Sequence, residues 1–313
     1  MGKPSSNSRS SAKKKTAPPT GTPGLVLAHY GQASLVEKND GDLIRCLSRK
    51  NLPRTICGDR ILFESSTPHD GVITHIEDRS STLVRPDRNG RIRPVAANID
   101  QIIIVIASKP SFEFPMLDSY LVAAELINTR PIIVVNKQDL LNHDSHSKLE
   151  QRLDTYVKLD YSVLFTSTLT TDGLKSLHQQ LRQHTSVLVG QSGVGKSSLV
   201  KALLPDLDIR TGQLSKVTGL GRHTTTATTL YHLPDSGDLI DSPGVREFNL
   251  WPVDADELAY GFVDFRPYLG TCRFSNCRHN AEPGCQIKEA VQDKIISAGR
   301  LANYHAMLAS QGK

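Results

Sequence analysis

Short apolar runs separated by turn residues characterise the chain from Gly24 to about Arg93. The breaks, of which Asn39-Asp40-Gly41 and Arg88-Asn89-Gly90 are examples, contain the residues that favour tight turns. The runs predict strands at Gly24–His29, Leu43–Ser48, Arg60–Phe63, Val72–Ile76 and Thr82–Val84. About five short strands without a helical pattern predict a small β-barrel, and an OB-fold fits best.

From Asp100 the hydrophobic pattern becomes that of an α/β domain. Ile102–Ala107 and Pro131–Val135 are continuous apolar runs, which are typical of strands buried on both faces of a parallel sheet. Further predicted strands are Val163–Thr166 and Ser186–Val189, and predicted helices are Met116–Ile127, Thr171–Gln183 and Ser198–Leu204. Alternating strands and helices predict a doubly wound domain that ends near Trp251. The rest of the chain carries three cysteines and then a predicted helix at Lys288–Leu308.

Composition and charge favour a water-soluble protein that binds polyanions. The 313 residues can form two or three domains, and no apolar run approaches the roughly 18 residues that cross a bilayer, so we expect no membrane partner. The net charge is +5, and five basic residues precede the first carboxylate, Glu37. Because this opening segment is rich in Ser, Pro and Gly, we expect it to be disordered. Such a basic arm suits RNA, and a solubilising tail is the equally weighted alternative.

A phosphate-binding loop is predicted between the strand Ser186–Val189 and the next helix. The sequence there matches the P-loop pattern in full and reads Gly190-Gln191-Ser192-Gly193-Val194-Gly195-Lys196-Ser197. Its glycines let backbone N–H groups converge on phosphates, and the helix N-terminus favours their negative charge. We expect Lys196 to contact the β- and γ-phosphates, Ser197 to bind Mg²⁺, and Ser198 to complete the set.

The tetrapeptide Asn136-Lys137-Gln138-Asp139 identifies the base. It ends a predicted apolar strand, and Asp139 can accept hydrogen bonds from the N1–H and exocyclic amine of guanine. Adenine would leave this carboxylate, which we expect to be buried, without a partner and would be rejected. Ser167, directly after another strand, lies where GTPases place a small residue whose backbone touches the base. The sequence thus predicts GTP, and it argues against the alternative of an ATP-dependent kinase.

Two further segments are expected to complete the catalytic site. Asp241-Ser242-Pro243-Gly244 supplies an acidic residue for the Mg²⁺ shell and a glycine, Gly244, whose N–H can sense the γ-phosphate. In Gly221-Arg222-His223-Thr224-Thr225-Thr226, either Thr224 or Thr225 should complete the metal coordination. Val245 occupies the position where Ras-like enzymes use a water-orienting glutamine. His223 is the nearest candidate for that role, with a solvent-facing loop histidine as the alternative.

The order of these motifs is unusual, because the guanine motif precedes the glycine loop by about fifty residues. In an ordinary small GTPase the phosphate loop comes near the start of the domain and the guanine motif near its end. The complete set of motifs in this order predicts a circularly permuted GTPase domain, with further modules attached at both new ends.

A cluster of soft ligands follows the predicted GTPase domain. Cys272, Cys277, His279 and Cys285 provide three thiolates and one imidazole within fourteen residues. Four protein ligands leave no open position, so we predict one structural Zn²⁺ rather than a catalytic one. Cys46 and Cys57 stand apart and are read as buried apolar residues, which together with the cluster indicates a reducing cytoplasm.

Taken together, these motifs resemble those of the circularly permuted GTPases of small-ribosomal-subunit biogenesis called RsgA or YjeQ. The similarity runs from about Gly24 to the end of the cysteine cluster and includes Asn98-Ile99-Asp100 and Asp241-Ser242-Pro243-Gly244-Val245-Arg246-Glu247-Phe248. The resemblance implies a ribosome-stimulated cytoplasmic GTPase that contacts ribosomal RNA of the small subunit, and we expect a monomer that binds GTP and GDP.

Four domains are therefore predicted: a disordered basic tail (1–22), an OB-fold RNA-binding domain (23–95), a circularly permuted GTPase domain (96–250) and a helical zinc-binding domain (251–313). The favoured function is GTP hydrolysis during late maturation of the small subunit, coupled to release of this chain or of another factor. A nucleotide-gated RNA-binding module with negligible hydrolysis is the alternative.

Overall fold

The computed structural model describes residues 20–86, 91–170, 172–207, 228–241 and 250–311. A five-stranded barrel comes first, and its strands are β1 (Thr22–Tyr30), β2 (Ala33–Lys38), β3 (Leu43–Ser48), β4 (Arg60–Ser65) and β5 (Asp70–Ile76). They pair in the order β1-β2-β3-β5-β4, and β4 returns to β1. The β3–β5 pair is parallel and the others are antiparallel. This closed barrel confirms the predicted OB-fold.

The membership of the barrel differs from the sequence prediction in one strand. The predicted fifth strand, Thr82–Val84, belongs to β6 (Thr82–Pro86), which forms a separate hairpin with β7 (Ile92–Ala97). The remaining strand of the barrel is β2, between β1 and β3, and the apolar pattern does not reveal it. Its buried residues Ser34, Leu35 and Val36 are consecutive instead of alternating, because the β1–β2 pairing contains an irregularity.

The second sheet region is the predicted α/β domain. Its strands are β8 (Gln101–Ala107), β9 (Arg130–Asn136), β10 (Ser162–Phe165), β11 (Thr185–Val189), β12 (Thr229–His232) and β13 (Asp238–Asp241). They lie in the order β10-β9-β8-β11-β13-β12, and all neighbours are parallel except β13 and β12. Every residue of β8 is buried, as its continuous apolar run predicts.

Four helices accompany this sheet in the described residues: α1 (Phe114–Leu126), α2 (His143–Val157), α3 (Lys175–Leu181) and α4 (Lys196–Leu203). The sequence prediction missed α2, because only Leu149, Leu153 and Tyr156 are buried on an otherwise polar helix. Its start is nevertheless marked by Asn142, whose side chain accepts a hydrogen bond from the Ser145 amide.

The C-terminal region contains three described helices: α5 (Ala255–Gly261), α6 (Gln286–Gln292) and α7 (Ala298–Gln311). The single helix predicted at Lys288–Leu308 is wrong, because the chain turns between α6 and α7. Lys294 has a φ of +61° there, which a continuous α-helix does not allow. Within the described ranges, no helix is long and apolar enough to cross a membrane.

A buried polar network attaches the C-terminal region to the α/β domain. Arg300 on α7 donates to Asp118 on α1 at 2.6 Å and to Asp264 at 2.7 Å. Asp118 also accepts hydrogen bonds from Asn303 and Tyr156. Burial acts to lower the pKa of Arg300, but the carboxylates of Asp118 and Asp264 outweigh burial and raise it. Breaking such a pair from one side leaves a buried charge without compensation, so the network fixes how the two regions meet.

Candidate functional site

The glycine loop adopts a backbone that only glycine accommodates. Gly190 has a φ of +139°, and a Cβ there would lie 2.1 Å from the Val105 carbonyl oxygen of β8. Gly195 has a φ of +100°, and a Cβ there would lie 2.3 Å from the side-chain nitrogen Nδ2 of Asn136. Side chains are thus excluded by conformation and by space at both positions. The loop connects β11 to α4, which begins at Lys196.

Lys196 is buried at the base of this loop. Its ammonium donates to the carbonyl oxygen of Gly190 and, at 2.7 Å, to that of Gln191. Around it, Gln191, Ser192 and Gly193 are exposed, and so are Ser197 and Ser198 in the first turn of α4. A buried cation beneath an exposed glycine loop at a helix start is an arrangement that can bind phosphate.

The guanine motif and the glycine loop are joined by direct hydrogen bonds. The buried Asn136 side chain donates to the Val194 carbonyl at 2.9 Å across 58 residues of sequence, and it accepts from the Thr166 hydroxyl at 3.2 Å. Lys137, in a left-handed conformation, donates to the carbonyls of Gly193 at 2.7 Å and Lys109 at 2.9 Å. Two motif residues therefore hold the phosphate loop, a role that the sequence reasoning did not assign.

Asp139 and Ser167 lie together, as predicted, but the carboxylate is not buried. Asp139 is exposed and accepts a hydrogen bond from the Ser167 hydroxyl at 2.5 Å. Ser167 itself is buried, and its hydroxyl also accepts from the Leu169 amide at 3.1 Å. Gly173 packs against Ser167 so closely that a Cβ would lie 2.2 Å from the Ser167 carbonyl oxygen. The short 3₁₀ turn Gln138–Leu140 presents the carboxylate at the surface instead of in the core.

The remaining predicted catalytic residues are only partly described. Asp241 ends β13, the parallel neighbour of β11, and this puts it at the same sheet edge as the glycine loop. Gly244 and Val245 lie outside the described residues, and so do His223, Thr224 and Thr225. Their assigned roles therefore stay predictions.

The four predicted metal ligands converge in the C-terminal region. One ligand atom each from Cys272, Cys277, His279 and Cys285 lies within 4.8 Å of every other. The Nδ1 atom of His279 is 3.6 Å from the sulfur of Cys272 and 3.5 Å from that of Cys285. A tetrahedral zinc site with ordinary bond lengths separates sulfur and nitrogen by about 3.6 Å. The four residues therefore lie close enough together to hold a metal ion.

The loop that carries the ligands is held by its own backbone and by α7. Glu282 accepts hydrogen bonds from the backbone amides of Arg278 and Asn280. Backbone hydrogen bonds, of which the one from Arg278 has the largest effect, lower the pKa of Glu282 to about 2. Tyr304 and His305 of α7 donate to the carbonyls of Arg278 and His279.

Burial favours the neutral form of three of the four ligands. It raises the pKa of the Cys277 thiol to about 12, raises that of Cys285 and lowers that of His279. Thiols become ligands only as thiolates, so a divalent cation is the partner that compensates their charge. The donor chemistry, like the distances, fits a soft metal ion.

Comparison with known proteins confirms the family resemblance that the sequence motifs predict. The family model described as RsgA GTPase matches residues 76–251. A protein of Vibrio parahaemolyticus described as small ribosomal subunit biogenesis GTPase RsgA 1 is 47% identical to this chain, over 92% of this chain and 83% of the relative. A protein of Hahella chejuensis described as small ribosomal subunit biogenesis GTPase RsgA is also 47% identical, over 90% of this chain and 82% of the relative.

Solved structures agree with the sequence relatives. YjeQ from Thermotoga maritima has a TM-score of 0.77 and 31% identity, covering 93% of this chain and 98% of its own. YloQ, described as a circularly permuted GTPase, has a TM-score of 0.74 and 28% identity, and the match covers 93% of this chain and 95% of YloQ. Together with the permuted order of the strands around the glycine loop, these matches show that the chain is a GTP-hydrolysing enzyme and belongs to the RsgA GTPase family.

Proposed function

We propose that this chain binds GTP with Mg²⁺ and hydrolyses it on the small ribosomal subunit during late maturation, in the cytoplasm. The observation that carries the nucleotide part is the set of bonds from Asn136 and Lys137 to the glycine loop, because it joins base recognition and phosphate binding in one rigid unit. The names of the relatives support the subunit part, since they describe small ribosomal subunit biogenesis.

Each site residue has a role in this proposal. The exposed carboxylate of Asp139 pairs with guanine, and Ser167 aligns that carboxylate. Lys196 exchanges its bonds to Gly190 and Gln191 for phosphate oxygens. The GTPase family implies Mg²⁺, which would neutralise the negative charge of the phosphates. Ser197 and Asp241 are the described residues that would hold the Mg²⁺ ion and its coordination shell.

Water positioning and release form a separate part of the proposal. Since Val245 cannot orient the attacking water, we assign that role to His223 or to the bound ribosomal subunit. Hydrolysis then weakens the complex, so that this chain or another factor leaves the subunit. The Cys₃His set would hold one Zn²⁺, which keeps the C-terminal region folded against α1.

The subunit assignment is tested by binding. Purified small subunits should bind the chain more tightly with a non-hydrolysable GTP analogue than with GDP, and added salt should weaken the complex because phosphate contacts release counterions. Co-sedimentation measures both effects. Equal binding with the analogue and with GDP would contradict coupling of hydrolysis to release.

A nucleotide-gated RNA-binding module is the second candidate, and the barrel together with Val245 favours it for the chain without a partner. In this alternative, GTP would control RNA binding but turnover would stay negligible even on the subunit. Steady-state GTP turnover with and without small subunits separates the two.

A further inference from the structure

A concave basic pocket lies where the barrel, the β6–β7 hairpin and the start of β12 meet. Its volume is about 220 Å³, and His29, Arg54, Arg85, Arg93 and Thr228 are among the residues that line it. Of the described residues in this lining, none is acidic. The pocket is separate from the glycine loop and the Cys/His cluster, neither of which contributes a residue to it.

The hairpin brings two guanidinium groups to the rim of this pocket. Arg85 and Arg93 are direct cross-strand partners, and both line the pocket. Side chains at directly opposed positions of a β-ribbon lie close together on one face, so two guanidinium groups there can contact the same anion. The register of the hairpin therefore places two cationic side chains together at the pocket.

His29 supplies a hydrogen-bonding atom on the barrel side. Its Nδ1 lies 3.1 Å from the Ser34 hydroxyl, while its Nε2 is buried and has no hydrogen-bond partner in the described part of the chain. A buried nitrogen without a partner costs free energy, so a ligand atom that bonds to it is stabilised there. Burial lowers the pKa of His29, and the charge of Arg54 lowers it further.

The carboxylate of Asp59, which also acts on His29, is already neutralised. Arg79 binds it with two nitrogens, at 2.7 and 2.9 Å. Asp59 is fully buried, so it does not offer a second charge to a ligand. Positive charge therefore prevails in the pocket.

The size and chemistry of the pocket indicate the ligand. Guanidinium groups bind phosphate through two parallel hydrogen bonds, and 220 Å³ lies below the range of about 300–1,000 Å³ that is typical of pockets for whole small-molecule ligands. We propose that the pocket binds a backbone phosphate of RNA. The inference rests on the RNA-binding part of the proposed function and assigns residues to it: Arg54, Arg85 and Arg93 carry the charge, and His29 donates from Nε2.

Such a contact would lie beside the strand that follows the predicted switch motif in the chain. Thr228 comes two residues after Thr226, and the next residue, Thr229, pairs with Ala28 beside His29. RNA in the pocket would thus contact both the barrel and the start of β12, which leads into the GTPase sheet.

Removing the two hairpin charges tests the pocket. Arg85→Gln/Arg93→Gln should weaken binding of small subunits and of a short fluorescein-labelled RNA by roughly tenfold or more, and should reduce the salt slope by about two. The matched control is Arg45→Gln/Arg49→Gln, which removes the same charge from two barrel arginines that do not line the pocket. The control should lose clearly less affinity, and thermal unfolding checks that both variants are folded.

The outcomes separate this inference from the proposed function. If the wild-type chain binds subunits but both double variants lose equal affinity, the pocket assignment is wrong while the function stands. If the wild-type chain binds neither subunits nor RNA, the proposed function fails with it.

A probe at His29 identifies the ligand directly. The ring resonances of His29, assigned with His29→Gln, should shift when the RNA is added and respond much less to GTP or inorganic phosphate at the same concentration. A response to GTP or inorganic phosphate alone would overturn the assignment to RNA.

Discussion

The nucleotide site and the Cys/His cluster are built in opposite ways. The first joins residues that are distant in sequence, since Asn136 holds Val194 across 58 positions. The second collects its four side chains within one short loop, closed by Glu282 and Gly284. In the nucleotide site the backbone and the fold prearrange the geometry, whereas in the cluster the ligands themselves bring the chain together.

This difference predicts which damage stays local. A change in the glycine loop removes a function and leaves the fold, because α4 and β11 are secured by the sheet. A change in the cluster removes local structure and leaves the chemistry of GTP. The Arg300–Asp118 pair is the point at which the second kind of damage would reach the α/β domain.

The largest expected effect is that of Lys196→Ala. Removing a buried cation that pairs with phosphate costs about 2–5 kcal/mol, which is roughly 30-fold to several thousandfold in GTP affinity. Lys201→Ala, on the exposed side of the same helix, is the control and should bind normally. Fluorescent-nucleotide titration measures both, and equal affinities would contradict the phosphate role.

Loss of metal should come next. Cys277→Ser should lower the zinc content from one ion per chain towards zero and expose the loop around the ligands to hydrogen exchange, while GTP affinity stays within about twofold. Cys46→Ser, a change in the barrel away from the ligands, is the control, and this variant should still contain one zinc ion per chain. A metal-free wild-type protein with a fully protected C-terminal region would contradict the metal site.

Changing the base-pairing atom should have a smaller, selective effect. Asp139→Asn should weaken GTP by roughly 10- to 150-fold, because hydrogen bonds to a charged group are lost, and should improve binding of xanthosine triphosphate. Asp144→Asn on α2 serves as the charge control. Unchanged GTP affinity would show that Asp139 does not face the base.

His223→Ala is expected to have the smallest effect on binding and to act on turnover alone. If its imidazole orients the attacking water, the rate should fall by about tenfold or more with GTP affinity nearly intact. His143→Ala, an exposed histidine elsewhere, is the control. Parallel losses in affinity and rate would assign His223 to local structure, and a normal rate would transfer the role to the subunit.

Much of the architecture could be predicted from the sequence because local signals agreed with the fold. The continuous apolar runs of β8 and β9 are buried as expected, and the glycine spacing matches the backbone that the loop requires. The metal ligands are close in sequence, so their spacing alone predicted the cluster.

The missing parts depend on tertiary contacts that a local pattern does not contain. β2 is hidden by a bulge that changes the alternation of its buried residues, and α2 by its narrow apolar stripe. The exposure of Asp139 follows from the 3₁₀ turn Gln138–Leu140, which comes directly after the left-handed residue Lys137. The side chain of Lys137 in turn bonds to the glycine loop. The Arg300–Asp118 pair joins residues 182 positions apart, which no local sequence pattern could have shown.

Steady-state GTP turnover with and without purified small ribosomal subunits tests the central claim most directly. Because Val245 leaves the chain without the usual glutamine, turnover of the isolated protein should be slow, and saturating subunits should raise it by at least about tenfold. Large subunits at the same concentration control for RNA in general. An unchanged rate with bound small subunits would contradict a ribosome-coupled GTPase.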